Sequence, residues 1–131
     1  MSSKISASIT ISGDSLDFGQ CSKALGVQPS SVFERPYDYD SAMVGARQWS
    51  LATEKSELES VDDAIDGLLK LIPSVSKVSE FLEDGGYDLE IACSVDVYED
   101  RPLYELSKET IEKLFCLKAR FSMDIHDFTE D

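Results

Sequence analysis

Residues 87–98 constrain the fold most strongly, because apolar and polar side chains alternate along them. The apolar set comprises Tyr87, Leu89, Ile91, Cys93, Val95 and Val97. Successive side chains of a β-strand point to opposite faces of a sheet, so this period of two predicts one dry face and one wet, acidic face. A strand of this length is expected near the middle of a sheet. We therefore expect the chain to be organised around a β-sheet.

Weaker patterns on either side of this strand predict the remaining elements. Alternation recurs at residues 5–12, 32–35, 47–53 and 121–126, and helical spacing occurs at 18–25, 61–82 (interrupted at Pro73) and 107–115. We predict an α+β fold with a mostly antiparallel or mixed sheet of about five strands, helices packed on one face and solvent on the other. Residues 1–131 are expected to form a single globular domain, because the length suits one domain and no linker or repeat is visible.

The charge balance excludes several classes of function. The 131 residues include 12 Lys plus Arg and 26 Asp plus Glu, which gives a formal net charge of −14. A body this negative repels phosphate groups, so we expect no unaided binding to nucleic acid or to anionic membranes. Residues 1–35 contain three bases and three acids, so the whole excess lies after them. Such a field accelerates encounter with a basic protein, which is therefore the expected partner.

Residues suited to catalysis or metal binding are sparse. His126 is the single histidine, and the seven glycines are scattered without forming a phosphate-binding loop. Cys21, Cys93 and Cys116 lie far apart among apolar neighbours, so we predict three reduced thiols in the core. Nucleophilic catalysis needs a nucleophile, a base and an orienting group together. We therefore predict a non-enzymatic protein with no catalytic residues, no metal site and no cofactor.

Candidate partner-binding residues fall in two places. An irregular segment contains an alternation of aromatic and acidic residues: Tyr37, Asp38, Tyr39 and Asp40. The wet faces of two predicted strands contribute Asp88, Glu90, Asp96, Asp124 and His126. Aromatic anchors beside charges are common at protein interfaces. Trp49, in contrast, alternates with Leu51 and is predicted to lie in the core.

Short motifs spread along nearly the whole chain resemble a known family. They are Ile11-Ser12-Gly13-Asp14-Ser15-Leu16-Asp17, Leu25-Gly26-Val27-Gln28-Pro29, Arg47-Gln48-Trp49-Ser50-Leu51, Leu68-Leu69-Lys70-Leu71-Ile72-Pro73 and Met123-Asp124-Ile125-His126. With these motifs the chain resembles the domain-of-unknown-function family 4279, small bacterial proteins that often end in a similar Asp-Ile-Tyr. The resemblance implies an α+β domain without an established activity. Some relatives look like immunity proteins encoded beside bacterial toxins.

Two functions from different classes are compatible with these features. The first is a bacterial immunity protein that neutralises a basic toxin by binding it. The alternative is a small-molecule or metal-binding protein, or an enzyme, with a pocket near residues 35–49, the least regular part of the chain. A cytoplasmic location is expected, because the N-terminus lacks the apolar stretch of a signal peptide. The chain is expected to be a monomer or a homodimer that pairs through an edge strand.

Overall fold

Six strands and four helices make up the part of the chain that the computed structural model describes, residues 2–34 and 47–129. The strands are β1 (Lys4–Gly13), β2 (Ser31–Glu34), β3 (Arg47–Ala52), β4 (Ser56–Glu57), β5 (Asp88–Val97) and β6 (Arg120–Asp127). The helices are α1 (Phe18–Leu25), α2 (Val61–Leu69), α3 (Val75–Gly85) and α4 (Lys108–Cys116). Strand β4 has only two residues, too few for a sequence pattern to reveal it.

The six strands form one sheet in the order β2-β3-β1-β5-β6, with β4 pairing with the start of β1. Strand β1 is antiparallel to β3 and β5, and β2 is antiparallel to β3. Strands β5 and β6 are parallel, so the chain must cross over between them, and α4 lies in that connection. The predicted α+β fold with a mixed sheet is confirmed, and β5 is an interior strand.

The core lies between one face of the sheet and the helices. Odd-numbered side chains of β1 and β5 are buried, and the register sets Ile9 opposite Ile91. Helix α2 covers these strands with a buried stripe of Val61, Ala64, Ile65, Leu68 and Leu69. Burying one such aliphatic side chain contributes about 1.5–3 kcal/mol, so this layer stabilises the fold more than any surface contact can.

Serine side chains begin three of the helices. The hydroxyls of Ser60, Ser74 and Ser107 each accept a hydrogen bond from a backbone N–H in the first helical turn. Pro73 separates α2 from α3, so the structure has two helices rather than one kinked helix. None of the four described helices is long and apolar enough to cross a membrane.

Strand β3 contributes two side chains that hold α1 against the sheet. Trp49 is fully buried, as predicted, and its Nε1 donates a hydrogen bond to Ser22 Oγ at 3.0 Å. Arg47 donates from Nε to the Leu16 carbonyl at 2.7 Å and lies over the Phe18 ring, 4.2 Å from its centroid. Both side chains therefore have structural roles.

Strand β6 differs from the expectation that one face of each strand is covered. All eight of its residues are exposed, although the strand alternates as clearly as β5 does. Phe121, Met123 and Ile125 point to the side of the sheet that faces the helices. They neighbour buried residues of β5, since Met123 is in register with Cys93. The helical layer covers β1 and β5 but leaves β6 uncovered, which explains the difference.

Candidate functional site

The sheet face opposite the helices is built from short polar side chains. Even-numbered positions of β1 and the paired positions of neighbouring strands contribute hydroxyl groups, with Lys4, Gln48 and Ala92 among them: Ser6, Ser8, Thr10, Ser12, Ser50, Ser94 and Ser122. The Thr10 and Ser50 hydroxyls are 3.1 Å apart and share a hydrogen bond. These side chains are partly exposed. We call this surface the hydroxyl face.

Five residues predicted to bind a partner lie on the hydroxyl face. Asp88 and Glu90 lie near the beginning of β5, and Asp96 lies near its end. The parallel register adds Asp124 and His126 of β6 beside the end of β5. At about 3.3 Å per residue, Asp88 and Asp96 are about 26 Å apart. The acidic groups therefore occupy two separate regions of the face.

Charges near the end of β5 pair with one another. Asp96 Oδ2 accepts a hydrogen bond from Lys55 Nζ at 2.8 Å, and Asp96 Oδ1 lies 3.3 Å from His126 Nδ1. The other ring nitrogen of His126, Nε2, lies 3.3 Å from Asp124 Oδ2. The Asp96 side chain is only 13% exposed. Asp96 is therefore engaged within this network, whereas Asp124 (76% exposed) and Asp88 at the beginning of β5 are more accessible carboxylates.

Lys55 controls the protonation of Asp96. The pKa of the Asp96 carboxyl is lowered, chiefly by the Lys55 hydrogen bond and further by His126. Such a carboxyl stabilises the fold above its unfolded pKa of about 3.9, and that stability is lost as the pH falls through the folded pKa. In Lys55→Met we expect an NMR titration to show the Asp96 pKa raised toward its ordinary 3.8. The acid-dependent loss of stability due to Asp96 should shrink accordingly.

Two further substitutions control that measurement. Lys55→Arg keeps a cation beside Asp96 and should leave its pKa low, whereas Lys108→Met removes an exposed cation from α4 and should not affect it. An Asp96 pKa that is the same in Lys55→Met as in the unaltered chain would contradict the assignment.

Four of the predicted residues lie outside the described part of the chain: Tyr37, Asp38, Tyr39 and Asp40. The pocket that the alternative function places near residues 35–49 falls mostly in the same segment. At its described border, Arg47 donates from Nη1 to Glu34 Oε1 at 2.6 Å, in addition to its contacts with α1.

A half-open cavity of about 340 Å³ lies where the end of α3 meets the turn after α4. Its polar lining groups make contacts within the fold. Ser79 Oγ donates to the Cys116 carbonyl at 3.0 Å, and Lys118 Nζ lies 3.9 Å from Glu83 Oε1. Within residues 2–34 and 47–129, no group of three or more His, Cys, Asp or Glu is placed to hold a metal ion.

The three cysteines do not share one environment. Cys21 and Cys93 are buried as predicted, and burial raises their thiol pKa values to about 12 and about 11. Cys116 is exposed, contrary to the prediction, because Leu114 and Leu117 occupy the inner side of the end of α4. Of the three thiols, Cys116 is therefore the one accessible to reagents.

Sequence reasoning missed a group of apolar side chains that the structure leaves exposed. Five of them lie on α4 and on the helix side of β6: Ile111 (52% exposed), Phe115 (83%), Phe121 (39%), Met123 (38%) and Ile125 (46%). We call them the β6 edge surface. The sequence contained one indication of this surface, because Ile111 and Phe115 form an apolar i, i+4 pair on α4. In the structure that pair lies beside the buried residues Leu114 and Leu117 and remains exposed.

Fold and surface together define a class of protein. It is an α+β domain whose mixed sheet has helices on one side and a hydroxyl-rich face with acidic residues on the other. The family model described as Domain of unknown function (DUF4279) matches residues 3–128. The chain belongs to this family, as its motifs predicted. The comparisons with curated proteins and with solved structures gave no match.

Proposed function

We propose that this chain is a non-enzymatic protein-binding domain whose partner is a basic protein. The hydroxyl face supports this proposal most directly, because none of the four described helices covers it and Asp88, Glu90 and Asp124 lie on it. The particular form we propose is a cytoplasmic immunity protein that blocks a basic toxin. That form depends on the family resemblance, since some relatives look like immunity proteins.

The size of the hydroxyl face suits a protein partner. The five strands β2, β3, β1, β5 and β6 have between 4 and 10 residues. With a mean of about eight residues, about 3.3 Å per residue and strands about 4.8 Å apart, the face measures roughly 24 Å by 26 Å, or about 600 Å². A standard interface buries about 800 Å² on each partner. The face with its immediate rim is therefore large enough to support specific binding.

Charge supports a basic partner in particular. The net charge of −14 creates a field that attracts cationic proteins over a distance of about 8–10 Å at physiological salt. Most described acidic residues lie off the hydroxyl face, for example Asp62, Asp63 and Asp66 on α2. The whole surface therefore steers encounter, whereas the acids on the hydroxyl face determine where the partner docks. Neutralising a toxin by covering its surface needs binding alone and no chemical step.

Charge reversal on the hydroxyl face tests the proposal. The basic protein would be cross-linked to the chain in its native host, identified by mass spectrometry and purified. We expect the triple variant Asp88→Lys, Glu90→Lys, Asp124→Lys to weaken its affinity at least about tenfold in calorimetry, because each exposed charge pair contributes about 0.2–1 kcal/mol and reversal adds repulsion. Affinity of the unaltered chain should fall as salt rises.

The matched control changes the net charge equally at another surface. Glu80→Lys, Asp84→Lys, Glu112→Lys alters exposed residues of α3 and α4. This variant should slow association somewhat but retain most of the affinity. Equal losses in the two triple variants, or an affinity insensitive to salt, would contradict docking on the hydroxyl face.

A further inference from the structure

Strand β6 ends the sheet with an unpaired edge. It pairs with β5 alone in the described sheet, and its parallel register with β5 is continuous from Arg120 to Asp127. Edge strands in natural proteins are commonly blocked by proline, bulges or a covering segment. Strand β6 contains no proline and no break in register, and all of its residues are exposed. Its outer backbone groups can therefore accept another strand.

The helix side of this edge is apolar. Phe121, Met123 and Ile125 continue the row of side chains that is buried on β5, yet 38–46% of their surface stays exposed. The interior strands β1, β3 and β5 bury their apolar side chains, whereas the edge strands β2 and β6 expose theirs, and β6 exposes three on one side. A partner that paired with β6 would cover them from the same side as the helices.

Helix α4 extends the apolar surface above the strand. The start of α4 lies against α2, because the Ser107 N–H at the cap of α4 donates a hydrogen bond to Asp62 Oδ1 of α2 at 2.9 Å. Ile111 and Phe115 project from the opposite flank, by the 100° rotation per residue of an α-helix. Since α2 covers β1 and β5, that opposite flank lies toward the β6 side of the sheet. This placement sets the two exposed apolar side chains of α4 on the same side of the sheet as the three of β6.

The geometry points to a second copy of this chain as the occupant of the β6 edge surface. In this dimer the two β6 strands pair antiparallel about a two-fold axis perpendicular to the sheet. Registers that keep apolar residues on one face must pair odd-numbered positions with odd-numbered positions, because a one-residue slip moves each side chain to the other face. Pairing Met123 with Met123 of the second copy satisfies this condition and sets Phe121 opposite Ile125.

Apolar pairing selects this register over its neighbours. Centring the dimer on Ser122 also keeps odd-numbered positions together, but it leaves Ile125 opposite Ala119. Centring it on Asp124 sets two carboxylates directly opposite each other, which is destabilising. With Met123 at the centre, all three apolar residues of each strand face apolar residues of the other copy, and Arg120 lies on a diagonal of Asp124. The pattern of β6 is therefore complementary to itself.

Salt dependence separates this dimer from the proposed binding of a basic protein. Two chains that each carry −14 repel one another, and salt screens the repulsion. The dimer should therefore tighten as salt rises, whereas the complex with a basic protein should weaken. The dimer covers the outer edge and the helix side of β6, whereas the basic protein docks on the opposite face. Met123→Asp therefore tests the dimer and Asp88→Lys tests docking, so either proposal can fail while the other stands.

Sedimentation of the full chain tests the dimer. From about 1 µM to about 500 µM protein we expect the mass to rise from 14.5 kDa toward twice that value, with the midpoint at lower concentration in high salt. Met123→Asp should raise the protein concentration at the midpoint of dimerisation at least tenfold. Its circular dichroism spectrum should be unchanged, because Met123 is exposed. The control Val32→Asp changes an exposed apolar residue at the opposite edge of the sheet and should leave the midpoint in place.

Cysteine cross-linking tests the register. In a Cys116→Ser background, Met123→Cys should oxidise to a covalent dimer, because directly opposed Cα atoms in antiparallel strands lie about 4.5–5.5 Å apart. Ser122→Cys should cross-link poorly, since Ser122 of the second copy lies on the diagonal. A chain that stays monomeric throughout, a Val32→Asp variant that dissociates while Met123→Asp does not, or preferential cross-linking at Ser122 would overturn the proposal.

Discussion

Replacing Trp49 with alanine is expected to lower the free energy of unfolding by about 3–5 kcal/mol, the range typical of truncating a buried tryptophan. The side chain is fully buried between β3 and the helices. Its truncation leaves a cavity and removes the hydrogen bond from Nε1 to Ser22 Oγ that links the sheet to α1. Urea unfolding followed by circular dichroism measures the loss.

Two milder substitutions separate the packing of Trp49 from its hydrogen bond. Ser22→Ala removes only the acceptor and should lower the free energy of unfolding by about 1 kcal/mol. Trp49→Phe keeps most of the buried apolar volume. Its loss of unfolding free energy should lie between those of Ser22→Ala and Trp49→Ala. If the free energy of unfolding of Trp49→Ala were within about 1 kcal/mol of that of the unaltered chain, Trp49 would not be part of the core.

Gly26→Ala is expected to lower the free energy of unfolding by about 2–4 kcal/mol, because two penalties combine at this position. Gly26 ends α1 with a φ of 72°, in the left-handed region. A Cβ there would also lie 2.9 Å from two carbon atoms of the Pro73 ring, which is rigid. The close approach of Gly26 and Pro73 joins the end of α1 to the turn between α2 and α3.

Two other glycines provide matched controls for the same measurement. Gly86 has a φ of 66° but open space around a Cβ, so Gly86→Ala should incur the backbone penalty alone, about 1–2 kcal/mol. Gly67 lies inside α2 and has nothing within 4 Å of a Cβ. Gly67→Ala should therefore stabilise the chain by about 0.5–1 kcal/mol. Equal effects at Gly26 and Gly86 would show that the Pro73 contact has no energetic weight.

The sequence alone was enough to place the acidic residues of β5 on one face, but not to find their partners. Alternation along β5 places Asp88, Glu90 and Asp96 on one face, because side-chain direction in a strand follows position parity alone. The pairing of Asp96 with Lys55 and His126 could not be read in this way. It depends on the parallel register of β5 and β6 and on the path of the chain between β3 and β4, which bring together residues far apart in sequence.

Local periodicity was sufficient for every described strand except the two-residue β4, for the helices and for the buried stripe of α2, since each period reflects the geometry of a single backbone segment. It was also sufficient for the core position of Trp49. Periodicity could not distinguish β5 from β6, which alternate equally clearly but differ completely in burial. Burial depends on how far the helical layer extends over the sheet, and only the packing of distant segments sets that extent. The exposed edge at β6 is a product of that packing.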